Sequence, residues 1–164
     1  MSIVHLHLLL NHLPVIGSVF GLLLLAVALW RGSGELTRVS LGFLALIGAA
    51  SVAVFLTGEP AQDAVEKLPG FSEAIADRHE DAALLATIVT GTIGALALAA
   101  LLIYRRRAVP RWVTTIGLVC ALGSTALMGY VANLGGQIRH TEIRPGSTSS
   151  GVGPVRPIEA EREH

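Results

Sequence analysis

Four stretches of this chain, residues 13–30, 39–58, 82–104 and 112–138, contain no Asp, Glu, Lys or Arg, although the sequence holds 12 basic and 12 acidic residues. A helix that crosses a hydrocarbon core of about 30 Å needs about 20 largely apolar residues, and each stretch is long enough. A soluble chain of 164 residues has too little volume to bury four such helices, and 52% hydrophobic residues with a mean hydropathy of +0.62 leave little to cover them. A transmembrane barrel needs apolar and polar residues in alternation, and runs such as residues 21–30 show none. The sequence therefore predicts an all-α integral membrane four-helix bundle, up-down-up-down, with both termini external. Residues 1–144 form the transmembrane domain, with spans at about 8–30, 37–57, 80–104 and 112–138.

The first residues lack the basic segment and small-residue cleavage site of a secretory signal, so the first span is expected to be retained. Cys120 is the sole cysteine, which excludes an internal disulfide and a CxxCH haem attachment. Arg31 and Arg38 bracket one short connection; Arg105, Arg106, Arg107 and Arg111 crowd the other. Short basic loops stay cytoplasmic, so this pattern predicts a multi-pass protein whose termini are external, which in a two-membrane bacterium means an inner-membrane protein with periplasmic termini. Trp30, Tyr104 and Trp112 then fall in the cytoplasmic aromatic belt.

Between the second and third stretches, residues 57–81 form an acidic external loop expected to hold a short surface helix. Ser72 before Glu73 suits the N-cap of a helix running into the third span. Residues 145–164 shift to Gly, Ser, Pro and charge, a composition expected to be disordered. Gly17 with Gly21, and the small residues at 48–51 and 91–94, allow close helix approach, for which ordinary bundle packing is the simplest account.

The chemical signal lies in histidine. His5, His7, His12, His79 and His140 all fall at the external ends of spans and none in a cytoplasmic loop, while His164 ends the tail. Neutral imidazole ligates haem iron, copper, zinc and non-haem iron, and facing helices of a bundle can build such sites. Small residues follow His79 on its helical face at Ala82, Ala83, Ala86 and Thr90, which leaves room for a macrocycle or for tight packing. Histidine also sits at membrane interfaces with no ligand role.

Helix counting at 1.5 Å per residue puts His79 roughly 39 Å from Arg105, His140 roughly 43 Å from Arg111, and His12 only about 28 Å from Arg31. The histidines are thus not expected to share one coordination shell. Counting favours His140 or His5 as the partner of His79. The cost of burying His12 within an apolar stretch favours His12 instead.

The stretch from His5 to Gly17, with Asn11, His12 and Pro14, resembles the opening of a bacterial family of four-span membrane proteins known as domain of unknown function twenty-two thirty-one. Thr57-Gly58-Glu59-Pro60-Ala61, His79 and Leu134-Gly135-Gly136-Gln137-Ile138 are similar to further family segments, so the resemblance covers about residues 5–143. It implies a membrane protein sometimes joined to redox modules, with His12 and His79 at the family's histidine positions. The first family histidine is usually followed by proline; here Leu6 or Leu8 follows, and both His5 and His7 stay open as its counterpart.

The leading expectation is a b-type haem-binding electron-transfer subunit rather than an enzyme. Its axial ligands are drawn from His12, His79 and His140, and Arg78 or Arg139 pairs with propionates. The alternative is a divalent transition metal, copper, zinc or iron, held by His79, His140 and His5, His7 or His12, with Glu59 or Asp81 as oxygen ligand. A structural or assembly subunit is the third class. Expected partners are the lipid bilayer and redox or complex subunits within it, not nucleic acid. Transport is disfavoured because no span carries an ionised residue.

Overall fold

The computed structural model describes residues 2–146, and within them every regular element is helical. Helix α1 (Ile3–Leu10) is followed after a single residue by α2 (His12–Arg31). Then come α3 (Gly34–Phe55), α4 (Gly58–Glu66), α5 (Glu73–Ile103) and α6 (Arg111–Arg139), and a short 3-10 turn, Thr141–Ile143, closes the described chain. Most of the expected disordered tail, with His164, lies outside the described residues.

Four helical segments are long and apolar enough to cross a membrane: Val4–Arg31, Gly34–Glu66, Glu73–Ile103 and Arg111–Arg139. At 28, 33, 31 and 29 residues they run beyond the charge-free stretches. Their length, on the order of 42–50 Å at 1.5 Å per residue, exceeds a hydrocarbon core of about 30 Å. The segment read as an external loop is therefore mostly helical. It holds α4 and the first turns of α5, and only 67–72 are left as a connection. No more than a third of the most apolar window of any segment is buried inside the protein. Leu23, Leu46, Leu96 and Val119 are each more than half exposed, so their outer faces call for an apolar surrounding.

Local chemistry sets the boundaries. Pro14 has no N–H to donate, and the break at Asn11 puts it in the first turn of α2, where that donor needs no partner within the helix. The turn from α2 to α3 takes two residues. Gly32 adopts a φ of 60°, which suits glycine, and the Ser33 N–H bonds Ala28 O at 3.1 Å while its Oγ accepts from Leu36 N at 3.2 Å. Helix α5 begins at Glu73 as the sequence suggests, although the Ser72 side chain makes no capping bond.

Each of the four long helices packs on two others: α2 on α3 and α6, and α5 on α3 and α6. Glycine sets the closest approaches. A Cβ on Gly48 would lie 2.9 Å from Gly94 Cα and from Thr90 O, so α3 and α5 meet backbone to backbone. Gly17 and Gly21 receive the side chains of Ile47 and Leu44, which gives the small residues of α2 the packing role expected of them.

At the end carrying the two short turns Leu25, Leu41, Leu44, Ala97 and Ala121 form the core, with buried Thr37, Ser40 and Thr114 near the turns. Arg38 closes this end by donating from Nη2 to the carbonyls of Tyr104 and Arg107. Midway, Thr90 and Ser124 share a buried hydrogen bond of 2.7 Å beside Ser18. The far end holds the histidines.

Candidate cofactor site at the histidine end

His79 lies two turns into α5 and turns towards α6. Its Nδ1 is 3.1 Å from the carbonyl oxygen of Val131. A carbonyl only accepts, so Nδ1 carries the proton and Nε2 of the neutral ring keeps its lone pair. The ring fits because residue 135 is glycine: a Cβ there would sit 3.1 Å from His79 Cε1. Ala82, Ala86 and Thr90 continue the buried face of α5 beneath it.

His7 reaches the same end from α1. Its Nδ1 is 3.0 Å from Thr57 Oγ1, and the Thr57 hydroxyl donates its own proton to Val54 O at 2.7 Å. Thr57 must then accept from His7, so this ring too is protonated at Nδ1 with a bare Nε2. The Cε1 of His7 lies 3.8 Å from where a Cβ would stand on Gly58. Both rings are half-buried. Two imidazoles from different helices thus have their tautomers set by hydrogen bonds on the far nitrogen, the arrangement that prepares histidine to ligate a metal.

The remaining residues singled out in the sequence lie elsewhere. His5 is exposed, with its Nδ1 2.9 Å from Ser2 Oγ. His12 is exposed beside a groove on the outer face of α2 and α3, among Leu9, Leu13, Ile16, Phe20 and Phe43. His140 ends α6, exposed, with Nδ1 2.8 Å from Glu142 Oε1. The Glu142 carboxyl is held below the usual carboxylate range first by its own backbone N–H and then by His140. Arg78, Arg139, Glu59 and Asp81 are all exposed. Among the described residues no three of His, Cys, Asp and Glu gather as a metal site. His7 and His79 are the two half-buried histidines of the described residues, while His12 and His140, the partners that sequence arguments favoured, are exposed.

Comparison adds no relative. No protein-family model, curated protein or solved structure matches the chain.

Two residues outside the sequence-based set belong to this end. Thr57 orients His7. Arg144 donates from Nη2 to Gly70 O at 2.7 Å and from Nε to Gln137 O at 2.9 Å, which ties the end of α6 to the connection between α4 and α5. The arrangement as a whole offers two neutral imidazoles, each with a lone pair on Nε2.

Proposed function

We propose that the protein is an integral membrane electron-transfer subunit that holds a b-type haem near the external face through His7 and His79. The observation that supports this reading is the pair of half-buried imidazoles with Nδ1 protonated and Nε2 bare. Donor count favours haem among the candidate centres. Zinc takes three or four protein ligands, whereas haem iron, with its porphyrin, is completed by two. The glycine beside each ring, Gly135 and Gly58, lets the imidazole lie close to the neighbouring backbone. The group, when bound, supplies one-electron exchange at iron. The chain's part is to fix both rings, keep them neutral through Val131 and Thr57, and shield them within the bundle. Arg78 and Arg139, exposed at this end, are the cations available to propionates.

The basic short loops support an orientation with the turn end cytoplasmic and the histidine end external, in a bacterial inner membrane. Electrons would then pass to a partner on the external side or in the membrane. The direct test is an absorption spectrum of detergent-purified protein, oxidised and then reduced with dithionite. Sharp reduced-state bands of low-spin haem are expected; a colourless, iron-free preparation from haem-replete cells overturns the reading. Orientation is tested separately, since tags at either terminus should react with impermeant label while cysteines placed at 105–107 should not.

A further inference from the structure

A serine or threonine buried on a helix can donate its hydroxyl to a carbonyl one turn back, and Thr37, Ser40 and Ser51 do so here. Ser18 does the same, donating to Val15 O at 2.8 Å. Thr90 and Ser124 do not. Their hydroxyls lie 2.7 Å apart and bond each other between α5 and α6. Whichever of them donates, one hydrogen bond uses one of two protons, and the second proton has no acceptor among the described residues. Thr90 is 5% exposed and Ser124 4%, so bulk solvent does not supply one. A buried donor left unpaired keeps its full desolvation cost.

Ser18, Thr90 and Ser124 line one cavity. Each stands thirteen residues from the turn end of its helix, about 20 Å along the helix axis, so the three meet at one level inside the bundle. The space between them has a volume of about 10 Å³, room for the centre of a single water, and its other walls are apolar, Leu44, Ile47 and Ile93 among them. An occupant has to take the spare hydroxyl proton and give one to Ser18, whose Oγ keeps its lone pairs after donating to Val15. A cation cannot take that proton, and no carboxylate lines the cavity to offset its charge. A water molecule does both and fits. We propose that the centre of the bundle binds one water, which accepts from the Thr90 and Ser124 pair, donates to Ser18 Oγ, and so joins α2 to α5 and α6. The site lies apart from the histidine end and does not depend on it.

The experiment is a crystal structure of the detergent-purified protein at a resolution that shows ordered water, together with unfolding of variants in detergent. One isolated density peak is expected about 2.7–3.0 Å from Ser18 Oγ and from the hydroxyl oxygen of Thr90 or Ser124. An empty cavity, in a map that shows water at the helix ends, overturns the inference, as does a peak ringed by five or six oxygens in the manner of a cation. Ser18→Val fills the space and removes the acceptor, so it should lower the folding equilibrium constant roughly fivefold, the order of one stranded donor. Thr90→Val removes a hydroxyl at nearly constant shape and frees Ser124 to donate one turn back. It should therefore destabilise the wild type, which loses a hydrogen bond, and stabilise Ser18→Val, which loses its stranded proton. A Ser18→Val variant more stable than wild type would mean a dry space and overturns the inference. A Thr90→Val effect of the same sign in both backgrounds also overturns it, since crowding by valine is not relieved by an isosteric change. The wild-type map decides the matter if Ser18→Val does not fold.

Discussion

The two ends of the bundle interior are built from different material. At the turn end Leu25, Leu41, Leu44, Ala97 and Ala121 close the core, and Arg38 spends its hydrogen bonds on the backbone of the turn between α5 and α6. At the histidine end half-buried His7, Asn11 and His79 and buried Ser51 and Gln137 lie among buried Ala76, Ala82 and Leu134. The buried hydroxyls of the first end, Thr37 and Ser40, are satisfied by carbonyls one turn back at Ser33 and Leu36, so packing and local hydrogen bonds explain it. They do not explain the second, where polar groups face inwards and one acceptor stays unpaired. A bundle that only had to stay folded would gain from filling that end with leucine, and this is the ground for proposing that the histidine end binds a guest.

The largest effect that would sharpen this contrast belongs to packing. Gly94→Leu pushes a side chain into the Gly48 backbone, which has no flexible end to yield, and should cost about 3 kcal/mol or more. Leu25→Ala at the turn end should cost roughly 2–5 kcal/mol by opening a cavity. Both are read by unfolding in detergent with the metal-free protein. His79→Ala under the same conditions should cost about 1 kcal/mol, the order of one hydrogen bond. Equal losses at both ends would erase the distinction.

A middle-sized effect is expected at Gly135. A methyl group there presses on His79 Cε1, and the ring can give way only by straining its bond to Val131. Gly135→Ala should therefore lower cofactor content severalfold while changing metal-free stability by under about 1 kcal/mol. Retention of full content would show that His79 need not hold its place.

Removing His140 should have the smallest effect. Glu142 has a depressed carboxyl, so the stability linked to it is present above the ordinary carboxylate range and is lost as pH falls through the depressed value. Its own backbone N–H is the larger cause. His140→Ala should thus raise the Glu142 titration only part of the way, as followed by NMR, with cofactor content unchanged. Loss of cofactor in this variant would move the site to the end of α6.

Charge-free stretches made the four helices legible, because few structures other than a spanning helix tolerate 18 or more residues without charge. Their ends were less so. Helices α1 and α4 and the first turns of α5 contain polar residues that end an apolar stretch but do not end a helix.

In the site, a preference for His12 rested on depth, and depth says nothing of direction. At about 100° per residue, His7 and His12 point about 140° apart, so one helix cannot turn both inwards. The choice was visible in the pattern. Pro14, Ser18, Gly21, Leu25 and Ala28 share the inward side with His7 and Asn11, whereas His12 stands with Ile16, Phe20, Leu23 and Val27, all large and exposed. Asn11 and Thr57 stand in the stretches that carry the resemblance but received no site role, because such roles depend on which hydrogen bonds form and spacing does not encode that.

The central claim is that His7 and His79, and not the other histidines, hold the cofactor. The measurement is haem content per folded protein, from the reduced-minus-oxidised spectrum, in His7→Ala, His79→Ala, His12→Ala and His140→Ala at matched expression. The account predicts that the first two lose most of the signal and the last two keep it. Full signal in His7→Ala with loss in His12→Ala or His140→Ala would contradict it.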